Sequence, residues 1–111
     1  MSRALRRRFE LEALTQTGDG AGGLSESWTP VTTIYADVVA STGKETLSGG
    51  RAAARVTHKA FIRHQPFGAP SRPRPDQRFR EGARSFAIRA VAEADDRREY
   101  LVCWLEEGAL S

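Results

Sequence analysis

Apolar side chains return at every second position in one segment of this 111-residue chain after another, and nowhere at the three-to-four spacing of a long amphipathic helix. In residues 8–17, RFELEALTQT, Phe9, Leu11 and Ala13 share one face and Glu10, Glu12 and Leu14 the other. Residues 28–40, WTPVTTIYADVVA, set Ile34, Ala36 and Val38 against Tyr35, Asp37 and Val39, and are rich in the β-branched and aromatic types that suit a pleated surface. Pro30 has no N–H for a ladder and belongs at an edge or a strand start. Residues 56–64 set Val56, His58, Ala60 and Ile62 against Thr57, Lys59, Phe61 and Arg63. Residues 78–80 and 85–94, joined at Glu81-Gly82, form a hairpin with Phe86, Ile88 and Ala90 on one side. After a turn at 95–98, residues 100–106 are apolar on both faces, as in a central strand. This pattern predicts an all-β, antiparallel, small barrel or sandwich of five to six strands, a single domain over 1–111. The expected core includes Trp28, Ile34, Val38, Ile62, Ile88, Val102 and Trp104.

Three connections stand apart. Residues 18–23, GDGAGG, form a sharp turn. Residues 65–77, QPFGAPSRPRPDQ, hold four of the five prolines and form a stiff surface loop. Residues 41–55, STGKETLSGGRAAAR, between the second and third strands, carry one large apolar side chain, Leu47. Ordering a residue costs roughly 1 to 2 kcal/mol, whereas burying Leu47 returns about 1.5 to 3 kcal/mol. Such a loop either stays mobile or is held by something outside the protomer, and other copies of the same chain are the natural candidates. A turn or two around 51–55 is the one place where helix is favoured locally, and it is too short to stand alone.

The net charge of +3 conceals a polarity: residues 51–89 hold ten Lys or Arg against two acids, and residues 91–111 hold six acids against two Arg. Opposite blocks of this kind can meet across a protomer interface, and a basic block can also meet nucleic acid. No run approaches the ~18 apolar residues of a membrane span, and the basic start is followed by FELEALT rather than an apolar signal core. The chain is expected to be soluble and unprocessed, with no membrane partner.

Catalytic chemistry has no foothold. Gly43-Lys44 lacks the Ser or Thr of a phosphate loop, since Glu45 follows, and Val38 stands where its first glycine belongs. His58 and His64 have no third ligand at zinc spacing, and Asp19 is a single carboxylate where a calcium loop needs several. Cys103, the one cysteine, lies in YLVCWL, the setting of a small buried hydrophobe. No enzyme activity, cofactor or metal is expected.

The order of features, GDGAGG, SWTPVTTIYADV, a loop beginning TGKE, VTHKAFIRH, FAIRAV and the closing DDRREYLVCWLEEG, resembles the head-tail joining, or head-completion, family of tailed phages. The resemblance spans nearly the whole chain; residues 65–77 are longer than the family's usual connection there. It implies a β-barrel connector in a homo-oligomeric ring of six rather than twelve copies. Portal and adaptor proteins would lie on the head side, tail terminator or tail tube proteins on the tail side, and DNA would pass through. The place would be the neck of a virion or phage-like particle made in the bacterial cytoplasm. Fifteen Arg to two Lys suits a GC-rich genome, hence a prophage or a gene transfer agent.

By the same resemblance the loop at 41–55 projects into the channel as a stopper, with Gly43, Lys44, Glu45, Leu47, Gly49, Gly50 and Arg51 as channel-loop candidates. The charge blocks suggest Arg63, Arg78 and Arg80 as donors and Asp95, Asp96 and Glu99 as acceptors between subunits. The alternative is a monomeric nucleic-acid-binding β-barrel, with aromatics stacking on bases and Arg residues tracking phosphates. Against it, Phe61, Phe86, Tyr100 and Trp104 interleave with core-like aliphatics.

Overall fold

The computed structural model describes residues 3–41, 46–48 and 53–108, with the backbone alone for 46–48 and 53–55. Among the described residues eight strands follow one another: β1 (Arg7–Gly18), β2 (Leu24–Ala40), β3 (Thr46–Ser48), β4 (Ala53–Arg55), β5 (His58–Arg63), β6 (Gln77–Glu81), β7 (Arg84–Glu93) and β8 (Tyr100–Glu107). Six close into an antiparallel barrel in the order β1-β2-β5-β8-β7-β6, and β3 pairs with β4 as a separate two-stranded sheet. The all-β barrel expected from the alternation is therefore the fold. The apolar last strand, β8, lies between β5 and β7 with neighbours on both sides.

Register decides which face of each strand enters the barrel. Pairing of β5 with β8 sets Ala60 opposite Cys103 and Ile62 opposite Leu101, and all four are essentially solvent-free. They join Phe9, Leu11, Ala36, Phe79, Phe86, Ile88 and Leu105 in one cluster, with Ile34, Val38 and Val91 packed against it. Phe9 stacks on Phe79 with ring centroids 5.0 Å apart and meets Phe86 edge-on at 5.3 Å, geometries that add to area burial.

Of the expected core residues, Ile62 and Ile88 are central, and Ile34 and Val38 pack against the cluster. Val102 is buried as expected, and the two tryptophans require correction. Trp28 and Trp104 are half-buried. The odd-numbered residues of β8 fill the narrow interior, which leaves its even-numbered side on the outer wall.

Two other expectations are corrected. The stretch 41–55, read as a loop with helix favoured locally around 51–55, contains the strand pair β3–β4, with Leu47 opposite Ala54; so short a helix cannot meet its nucleation cost, whereas a strand pair closes with local hydrogen bonds. Gln77 is the first residue of β6 rather than loop. Its amide donates to the Arg74 carbonyl, and its side-chain oxygen accepts from the Arg74 amide.

The β1–β2 hairpin runs past the barrel. β5 pairs with β2 only at 36–40 and β6 pairs with β1 only at 10–13, so 14–18 and 24–28 pair only with each other in the described ladders. Five residue pairs at about 3.3 Å each make an arm about 15 Å long. Its turn is held by Asp19, whose carboxylate accepts from the Ala21 and Gly23 amides. Those bonds hold the Asp19 carboxyl below its ordinary range. Pro30 lies on the stretch of β2 with β1 as its paired neighbour, the edge setting that a missing N–H requires.

Candidate assembly surfaces

The barrel closes where β1 meets β6, with Glu12 directly opposite Arg78. Glu12 lies on the face opposite Leu11, as its alternation demands, yet it is only 4% exposed. Arg78 Nε donates to Oε1 at 2.8 Å and Arg80 Nε to Oε2 at 2.9 Å. The Arg78 guanidinium also lies 4.3 Å over the Trp28 ring. Burial by itself would raise the Glu12 carboxyl, but the hydrogen bonds and charges of Arg80 and Arg78 outweigh it and hold the group below its ordinary value.

One end of the barrel gathers the β7–β8 turn, the arm and the proline-rich connection. Asp95 accepts the Glu99 amide and so shapes the turn; Asp96 and Glu99 are exposed. Arg63 is exposed with its guanidinium 5.7 Å from the Tyr100 ring centre. The N-terminal segment crosses the outer wall here. The Arg3 amide donates to the Tyr100 hydroxyl, its guanidinium pairs with Asp37 at 2.8 Å, and it covers the Phe61 ring at 3.4 Å. Arg3, Asp37, Asp95, Asp96 and Glu99 thus share one polar cleft.

The proline-rich connection folds over that barrel mouth. Pro73 is fully buried, and Arg72 is 8% exposed with its guanidinium bound to the Gln65 carbonyl. Between this cap and the barrel lies an apolar cleft of about 530 Å³ walled by Ala13, Val31, Pro70, Pro73, Pro75 and Val91. Val31 reaches it because β2 bulges there: Thr32 faces Leu11, Pro30 faces Glu12, and Val31 between them has no partner on β1. Phe67 stands at the rim, 83% exposed, with Arg72 stacked 3.8 Å from its ring.

The opposite end carries charged pairs and the two ends of the connection between β2 and β5, where the Ser41 amide donates to the Thr57 carbonyl. Arg7 forks onto Glu81 and Arg84 onto Glu107, each through two hydrogen bonds. Hydrogen bonding to these guanidinium groups lowers both carboxyls. His58, edge-on to Phe86 at 5.4 Å, is pushed down by burial and has its Nδ1 on the Thr57 hydroxyl.

The interface donors foreseen from charge differ in availability: Arg78 and Arg80 are joined on Glu12 within the protomer, while Arg63 is not among that pair's contacts. Arg63 and the acidic turn lie at one barrel end, and Asp95, Asp96 and Glu99 are brought together. Gly43, Lys44, Glu45, Gly49, Gly50 and Arg51 lie outside the described residues, and Leu47 is placed by its backbone in β3. Cys103 is fully buried with its thiol pushed up to about 12 by desolvation, the opposite of an activated nucleophile. His64 pairs with Glu93 at 2.9 Å. Among the described residues no three His, Cys, Asp or Glu side chains converge as metal ligands.

Sequence reasoning missed Glu12, the Arg3 clasp and the Phe67 cleft. One signal was present: from Phe9 to Gly43 the chain has five acids and no Lys or Arg, so any acid buried there must find a cation from a distant segment.

A family model for phage head completion proteins matches residues 2–108. A chain from the virion of a native gene transfer agent particle is 41% identical with a TM-score of 0.73, covering 98% of this chain and 100% of that one. A protein of Shigella flexneri 2a, solved in solution, is 28% identical with a TM-score of 0.68 and covers 96% of each chain. No curated protein matches. Matched by the family model over all but its extreme ends, the chain belongs to the phage head completion protein family, structural proteins of the virion.

Proposed function

We propose that this protein is the subunit of a ring in the neck of a phage-like particle, between the portal complex and the tail, and that its connection between β2 and β5 closes the DNA channel. The carrying observation is the path of that connection. β2 and β5 are antiparallel neighbours, paired at 36–40 and 58–62, and such neighbours need only a short turn. Here residues 41–57 intervene and contain their own strand pair, β3–β4. An extension of this kind, outside the barrel ladder, supports a part that acts away from its own protomer. Copies of Lys44, Glu45 and Arg51 would converge near the ring axis, where mixed charges pair with one another or with DNA phosphate.

Between neighbouring subunits, Arg63 and the exposed part of Arg80 are the donors this reading favours, and Asp95, Asp96 and Glu99 the acceptors. Arg78 recedes in that role because its side chain is only 13% exposed and committed to Glu12. Portal-side and tail-side proteins would meet the two differently equipped barrel ends. The likeness to a chain of a gene transfer agent virion at 41% identity supports the particle setting. Deleting residues 46–51 tests the stopper: the barrel should fold and the ring form, while tail-less particles lose packaged DNA. Particles that retain DNA as well as the parent would assign the connection to docking instead.

A further inference from the structure

The β1–β2 arm has no reason to stand alone. Every residue from 14 to 27 is exposed, and a two-stranded hairpin without a packed face is marginal in water. Its bonds across the strands, Thr15 to Thr29 and Gln16 to Glu26, are exposed as well. The arm nonetheless carries Leu14 at 40% and Leu24 at 70% exposure. Its charges are Asp19 and Glu26, with no Lys or Arg between residues 14 and 27. Native edges that must stay free are commonly blunted by lysines or prolines; beyond Pro30 this one is not.

The cleft at the base of the arm is its complement. Its walls are mostly alanine, valine and proline, its rim bears the exposed Phe67 ring, and Arg72 and Arg74 line it as well, Arg74 65% exposed and 3.6 Å from the exposed Asp76 carboxylate, so that two cations stand there against one acid. Ala13 and Val31 belong both to this cleft and to the root of the arm. The arm tip therefore points away from its own cleft by the length of the arm and cannot fill it. Apolar and acidic on one patch, apolar and basic on a different patch of the same chain, is the arrangement that joins copies head to tail.

We propose that the β1–β2 arm of one subunit lies in the Phe67 cleft of the next copy, with Leu24 and Leu14 covering the apolar wall and Glu26 facing the Arg74 side. This rests on the reading of the protein as a ring subunit and adds the contact by which neighbours hold each other. Phe67 is the anchor, a large aromatic at the cleft rim that is 83% exposed in the protomer and that the arm would cover.

The test uses two full-length chains, Leu24→Cys and Phe67→Cys, purified separately, mixed and oxidised gently, with the assembly mass measured in parallel by sedimentation. Cys103 is buried and does not compete. The expected product is the mixed disulfide between the two variants, in excess over either like-with-like pair. A ring of full mass without that bond, or with only like-with-like pairs, overturns the arm contact and leaves the ring standing. A chain that stays monomeric throughout overturns the ring reading and the arm contact with it. Phe67→Ala, at a site too exposed to matter for folding, should leave the melting temperature unchanged and weaken assembly at least tenfold. Glu26→Arg should weaken it about threefold, as a rim pair does, and Arg74→Glu in the same chain should restore part of the loss. Unchanged assembly in Phe67→Ala refutes the contact.

Discussion

Glu12 and Arg78 face each other across the strand pair that closes the barrel, with Arg78 Nε 2.8 Å from Glu12 Oε1. Separated by 66 positions, they make the last ladder a matched one in charge as well as in backbone. Arg80 takes the second carboxylate oxygen, so the acid is fully engaged in an almost dry site.

Replacing Glu12 with Ala leaves the Arg78 guanidinium, largely covered, without its anion. Breaking a buried pair from one side costs about 3 to 5 kcal/mol; the partial exposure of Arg80 places the expected loss at the lower end. Urea denaturation of parent and variant at pH 7 measures it, and equal midpoints would show the pair to be dispensable.

The same group sets an acid limb. The folded Glu12 carboxyl lies below its ordinary value of 4.5, so the unfolded chain takes up the proton first as pH falls. Its contribution is fully present above about pH 4.5 and declines as pH drops through the lower folded value. Glu12→Gln should flatten the fall in urea midpoint between pH 5 and pH 3 relative to the parent. An unchanged slope would assign that limb to other carboxylates, Glu81 and Glu107 first.

Interior and outer-wall aromatics should separate in cost. Phe86→Ala removes a fully buried ring in contact with Phe9 and should cost about 3 to 5 kcal/mol. Trp104→Ala, half-buried on the outer side of β8, should cost about 1 to 2 kcal/mol, the range of an ordinary substitution. The two denaturation midpoints compared in one buffer decide the order, and the reverse order would contradict the register of β8.

The acidic turn is accessible to substitution without loss of fold. Changing Asp96 and Glu99 to Lys should leave the circular dichroism and melting temperature near those of the parent, since exposed charges contribute little. If the turn faces a neighbouring subunit, assembly weakens, and Arg63→Glu in the same chain partly restores it. Sedimentation over a concentration series reads both effects.

The Cys103 thiol should resist alkylation in the native state. With no exposed surface and an ionisation pushed up to about 12, it offers neither access nor thiolate. Iodoacetamide labelling at pH 8 should go to completion in urea and be slow without it; rapid native labelling would mean that the barrel opens between β5 and β8.

What the sequence by itself determined is whatever a period of two carries. Alternation marks Phe9 and Leu11, Ala60 and Ile62, and Phe86 and Ile88 as strand faces, because the pleat sends successive side chains to opposite sides whatever lies beyond them. Charge order along the chain likewise foretold opposed blocks, and the run of residues from 41 to 55 announced a connection longer than any turn requires. The tertiary structure alone decided which face of β8 enters the barrel, since Tyr100, Val102 and Trp104 are as apolar as Leu101, Cys103 and Leu105, and only the register against β5 separates them. It also decided the fate of Glu12, Arg78 and Arg80. Locally each is a solvent-facing charge, and it is the closure of β1 on β6 that brings the acid of one strand under the two arginines of the other. The Phe67 cleft arises in the same way, because its walls come from the arm, the proline-rich connection, β6 and β7, segments that closure of the barrel brings to one end.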